Sequence, residues 1–149
     1  TRQFEEINNG EQFFARYDRR HDASVVGTYD LNKRVTFSAV FVYGTGNAIT
    51  IPTERFLYEG SIVNLYGERN SFRMIPYHRL DIGATIRNKP SKKFKSSWTF
   101  SVFNVYNRRN PYFIYFDNEG DIRQGNLEIK AKQVSLFPIL PSVTWNFKF

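Results

Sequence analysis

Two histidines stand in this chain, His21 within "RRHD" and His78 within "HRLD", each beside an arginine and near an aspartate. Such neighbours could serve acid–base chemistry or hold a metal if they converged from different strands with further ligands. Neither their spacing nor their count supplies a recognisable ligand set, so they read as a polar ladder of Arg, His and Asp at strand ends and on a wet wall. "YGTGN" (Tyr43–Asn47) offers two glycines after a strand, as a phosphate-cradling loop would. The dinucleotide fingerprint needs a helix next, and "AITIPTERF" follows instead, so a turn is expected. "YNRRNPYFIYF" sets Arg108 and Arg109 among five aromatics, a mixture that can stack bases and neutralise phosphates. There is no cysteine, which removes disulfides, thiolate metal sites and thiol nucleophiles. No catalytic residue, metal or cofactor is assigned, and the expectation is a protein that is not an enzyme.

The elements that would position these residues are strands. Val143, Trp145, Phe147 and Phe149 fall on one parity, and Ser142, Thr144, Asn146 and Lys148 on the other. Leu80, Ile82, Ala84 and Ile86 alternate with Asp81, Gly83, Thr85 and Arg87. Trp98, Phe100 and Val102 alternate with Thr99 and Ser101, and Val35, Phe37, Ala39, Phe41 and Tyr43 share a face. Residues 23–31 form a fainter case. A period of two over such lengths predicts five strands and no helix, the last over 134–149. The links alternate in length. "LNKR" (Leu31–Arg34) and "NKPSKKFK" (Asn88–Lys95) are short and basic, and Lys92, Lys93 and Lys95 read as a solvated turn; Gly44–Pro76 is a long excursion and Asp117–Lys130 an intermediate one.

Composition narrows the setting. Aromatic residues make up 17% of the 149, yet mean hydropathy is −0.49, so large apolar side chains alternate with polar ones. That balance is expected where every second residue meets an apolar phase. No run of about 18 apolar residues exists, which excludes a transmembrane helix. A net charge of +7 permits phosphate-rich partners but is equally a solvated surface. A half-buried sheet explains the alternation; it explains neither the terminal Phe149 nor the alternation of short and long links, which is the asymmetry of an outer-membrane barrel. In that reading Leu80, Ile82, Ala84, Ile86, Val143, Trp145 and Phe147 point to lipid, and Arg79, Asp81, Thr85, Arg87, Thr144 and Asn146 point into a lumen.

Several segments in order, "YDRRHDASVVGTYDLNKRVTFSAVFVYGTGNAITIP", "YHRLDIGATIR" and "WTFSVFNVYNRRNPYFIYFD", resemble the C-terminal strands of TonB-dependent outer-membrane receptors of Bacteroidota type, over nearly the whole chain from Tyr17. The ending Val143, Trp145, Phe147, Phe149 resembles the signal such proteins present to the barrel assembly machinery. The resemblance implies an all-β fold, an antiparallel transmembrane barrel of about 22 strands with a plug inside, of which this chain supplies about five C-terminal strands. Residues 1–22 are then loop, 23–149 strands and loops, and the plug lies outside this sequence. It implies uptake of a scarce large nutrient such as a siderophore, cobalamin, glycan or peptide, in the outer membrane, with no nucleic acid. Implied partners are the upstream strands and plug, TonB through the plug, lipid and lipopolysaccharide, the assembly machinery and a surface substrate-binding lipoprotein. Long loops on a rigid barrel gather binding residues, which selects Phe56, Tyr58, Tyr66, Phe72, Arg73, Arg108 and Arg109 for substrate or partner contact. Two other readings stand beside it: a complete small barrel of about eight strands, and a soluble basic β-domain binding single-stranded nucleic acid.

Overall fold

The computed structural model describes residues 3–4, 9–89, 94–120 and 128–149. The described residues are strand and loop, with no helix. In chain order the strands are β1 (Gln3–Phe4), β2 (Phe13–Phe14), β3 (Asp22–Asp30), β4 (Val35–Gly44), β5 (Ala48–Ile49), β6 (Pro52–Tyr58), β7 (Ser61–Tyr66), β8 (Phe72–Arg73), β9 (Tyr77–Arg87), β10 (Lys95–Phe103), β11 (Phe113–Glu119), β12 (Glu128–Val134) and β13 (Leu140–Lys148). The chain divides into two compact units, Thr1–Ala23 with Tyr43–Tyr77, and Ser24–Val42 with His78–Phe149. No helix is long and apolar enough to cross a membrane among the described residues, a fact that bears on helices alone.

One five-stranded sheet, in the order β13-β10-β9-β4-β3, dominates the second unit. It is a meander in which every neighbour is the next long strand of the chain. Its strands are 9, 10, 11, 9 and 9 residues long in chain order. The link after β3 is four residues, closed by Leu31 N–H on the Val35 carbonyl at 3.0 Å and by the Asn32 side chain, which accepts from the Arg34 and Val35 amides. After β9, Asn88 N–H donates to the Ser96 carbonyl at 2.9 Å; Lys92 and Lys93 of this link lie outside the described residues. β4 reaches β9, and β10 reaches β13, only after long excursions. Short links therefore fall at one end of the meander and long ones at the other.

Both excursions carry strands that the sequence pattern does not announce. β6 and β7 pair within 44–76, as do β5 and β8. The expected 117–130 loop is corrected, because Asp117 to Glu119 belong to β11 and pair with β12, leaving residues 121–127 of that excursion outside the described residues. The last long strand begins at Leu140 and not at Val134, which ends β12. Residues 3–4 and 13–14, expected as loop, form a short antiparallel pair.

Little is buried. Among the described residues only Ala48 and Met74 are buried apolar side chains. The sheet has two chemically distinct faces and no core on either.

Candidate functional site

Register fixes what each face holds. Ser101 of β10 stands opposite Ser142 of β13 and Gly83 of β9, with Ser101 and Ser142 hydroxyls 2.7 Å apart. A Cβ on Gly83 would come within 2.8 Å of the Ser38 Oγ on β4, so Ser38 continues the row. The open hollow of about 760 Å³ beside the sheet is lined by triplets centred on Thr28, Ser38, Gly83, Ser101 and Ser142. Because side chains alternate across a strand, the central residues of these triplets share one face, a waist of small residues, and the residues flanking them share the other.

The remaining polar positions extend that face. Thr85 and Thr99 hydroxyls meet at 3.1 Å, and Thr144 is opposite Thr99 as Asn146 is opposite Ser97. Arg87 donates to the Thr36 hydroxyl at 2.8 Å, which donates to Asp30 at 2.6 Å. Arg79 donates to Asp81 at 3.0 Å while its guanidinium covers the Phe103 ring at 4.0 Å. Arg79, Asp81, Thr85, Arg87, Thr144 and Asn146 therefore share one face.

The opposite face carries rings. Trp98 stands against Trp145 with centroids 5.9 Å apart, and the ladder runs on through Phe147 at 4.7 Å and Phe149 at 5.5 Å, with Phe94 beyond. Phe100 stacks on Trp98 from the other side. Such contacts are worth about 0.5–1.5 kcal/mol each beyond burial, yet these side chains stay open: Trp98 is 40% exposed, Trp145 48% and Phe149 88%. Leu80, Ile82, Ala84, Ile86 and Val143 lie on this side by parity.

His78 is corrected. It is placed by parity on this ring-bearing face at the start of β9 and not on the polar face, with its Nδ1 2.8 Å from the Tyr106 hydroxyl and its ring near Phe41. His21 belongs to the other unit, where its backbone pairs with Thr45. Among the described residues no three His, Cys, Asp or Glu side chains cluster as a metal site.

The substrate-loop residues divide by environment. Phe56 and Tyr58 alternate on β6, Tyr66 ends β7 and Phe72 opens β8; all four are exposed. Arg73 is a structural clamp: its guanidinium binds the buried carboxylate of Asp18, donates to the Asp18 and Gly46 carbonyls at 2.7 and 3.2 Å and covers the Phe14 ring. Gly46 is required beside it, since a Cβ there would drive into the Met74 carbonyl. Arg108 donates from Nε to Asn110 at 3.2 Å, and Arg109 is exposed while its carbonyl accepts from Gln133.

Sequence reading missed Asn104, the one fully buried large side chain among the described residues. Its Nδ2 donates to the Arg108 and Phe137 carbonyls at 2.9 and 3.1 Å, its Oδ1 accepts from Arg108 N–H at 3.1 Å, and its own N–H donates to Asp81 at 2.9 Å. The available signal was an asparagine immediately after a strand, the residue type that tolerates the left-handed conformation it adopts at φ +54°.

No protein-family model, curated protein or solved structure matches the chain.

Proposed function

We propose that this chain forms part of the wall of an outer-membrane β-barrel of the TonB-dependent transporter class, taking up a scarce large nutrient. The observation that carries the wall reading is the polarity of the sheet: serine, threonine, arginine and aspartate hold one face, and the aromatic ladder of the other stays exposed. A sheet in water packs its apolar face away from solvent; here that face is open. A sheet whose outer face meets hydrocarbon and whose inner face meets water has that polarity. Strands of 9–11 residues suit a tilted crossing, and the links are short at one end and long at the other, as in barrels with short periplasmic turns. Under this reading the exposed aromatics Phe56, Tyr58 and Tyr66 of the β6–β7 hairpin meet substrate or a surface lipoprotein.

The transporter class rests on the resemblance of the strand sequences and the wall reading on geometry, so they are tested apart. Both tryptophans of this sequence lie on the ring-bearing face. In liposomes, lipids brominated along the acyl chain should quench the fluorescence difference between the protein and its W98F/W145F variant, and water-soluble iodide should not. The opposite pattern removes the wall reading. Uptake that persists unchanged after the energy-coupling protein is deleted removes the transporter class alone.

A further inference from the structure

Five cations gather at the short-link end of the polar face. Lys33 and Arg34 come from the link after β3, Arg87 ends β9, Lys95 opens β10 and Lys148 ends β13; they border an open hollow of about 700 Å³ together with Asn146. Register presses them together. Lys95 stands directly opposite Lys148, and Arg87 and Arg34 are joined by Arg87 N–H on the Arg34 carbonyl at 2.7 Å and Arg34 Nε on the Arg87 carbonyl at 3.0 Å. Like charges opposed across a strand pair are destabilising. Among the described residues none of the five is in an ion pair. Asp30, on the same face, accepts from Thr36.

We infer that this end of the polar face holds an acidic segment of polypeptide, with carboxylates spaced along an extended stretch. A single phosphate is too small. The cations lie on or beside four adjacent strands, and strand spacing of about 4.8 Å spreads them over about 14 Å, so one compact anion would satisfy a minority. Single-stranded nucleic acid fits poorly, because it stacks successive bases on several aromatic platforms beside the cations, and among the described residues Phe147 is the one ring that borders this hollow. A row of carboxylates matches the spacing and relieves the repulsion between Lys95 and Lys148. This inference rests on the wall reading only for the side from which the segment approaches.

The test uses the full-length protein in its own membranes, treated with a water-soluble carbodiimide, which condenses a lysine Nζ with a carboxylate to an amide with loss of water. Peptide mass spectrometry should find Lys95 or Lys148 joined to Asp or Glu of one acid-rich segment. Without carbodiimide, acylation of both lysines should run several-fold slower than at exposed Lys89. A K95Q/K148Q variant should lose the amides and keep its tryptophan quenching. Free acylation of both lysines at the Lys89 rate without amide products overturns the inference, as does ultraviolet crosslinking of this end to nucleic acid. Crosslinks in a protein whose tryptophans escape lipid quenching would keep the acidic segment and remove the wall.

Discussion

Asn104 holds the exit of β10 with a side chain whose three hydrogen bonds all end on backbone groups. Its own amide ties the same turn to Asp81, which also receives Arg79. Removing the carboxamide strands buried backbone groups at about 1–3 kcal/mol each, and a residue with a bulkier preference for negative φ adds about 1 kcal/mol at φ +54°. N104A is expected to lose about 3 kcal/mol or more, read as a fall in the unfolding midpoint of the detergent-solubilised protein, with N104D milder and N104G restoring only the backbone component. An N104A protein as stable as the parent would mean that the turn is held from elsewhere. None of this is visible in a linear pattern. An asparagine among "FNVYNRRN" announces a turn, but beyond Arg108, four residues on, its partners Asp81 and Phe137 lie 23 and 33 residues away and meet it only once the strands are in register.

At the scale of elements, the five long strands were legible because each repeats an apolar–polar alternation that a strand converts directly into two faces. The hairpins inside the loops were not. β6 and β7 mix both classes on both sides, as Phe56 and Leu57 are exposed together, so neither shows a period. The signal lay in the turn: Glu59 and Gly60, at φ +49° and +78°, form the two-residue connection in which both central residues take positive φ. The β11–β12 hairpin is held by charge as well as backbone. Lys130 donates to Glu119 at 2.5 Å and Lys132 to Asp117 and Glu119 at 2.7 Å. Hydrogen bonds from Lys130 and then Lys132 lower the Glu119 carboxyl from 4.5 to about 2. The bonds to Asp117 and Glu119 raise Lys132, and that to Glu119 raises Lys130. A depressed carboxyl contributes stability that is whole above pH 4.5 and is lost on falling toward about 2; the raised lysines contribute below 10.5 and lose it only as pH climbs through their higher folded values. Hydrogen-exchange protection of Phe116 and Ala131 should therefore be flat near neutrality and weaken below pH 4.5. E119Q should remove most of that acid limb and leave the neutral value slightly lower, the groups being exposed. An acid limb unchanged in E119Q would place its cause elsewhere.

At the scale of the molecule the sheet is open. β3 and β13 are its outer strands, and each presents a side without a partner among the described residues. In water such an edge is tolerable; in hydrocarbon each unpaired N–H or C=O costs several kcal/mol. The other strands cannot supply the closure. β6, β11 and β12 are 7 residues long and β7 is 6, below the roughly 9–11 of a tilted crossing strand, and in β6 the adjacent Glu54 and Arg55 put a charge on both parities. Five strands also fall short of the smallest spanning barrels, at about eight, because fewer would require more curvature than the pleat permits. Under the wall reading β3 and β13 must each pair with a strand from outside these residues. Residues 1–149 produced alone in an outer membrane should therefore yield no monomer that is protease-resistant and shifts mobility on heating, while co-production with the missing strands of the same barrel should restore one. A resistant, heat-modifiable monomer from the 149 residues alone would show that the chain closes on itself, and the complete small barrel would replace the wall fragment.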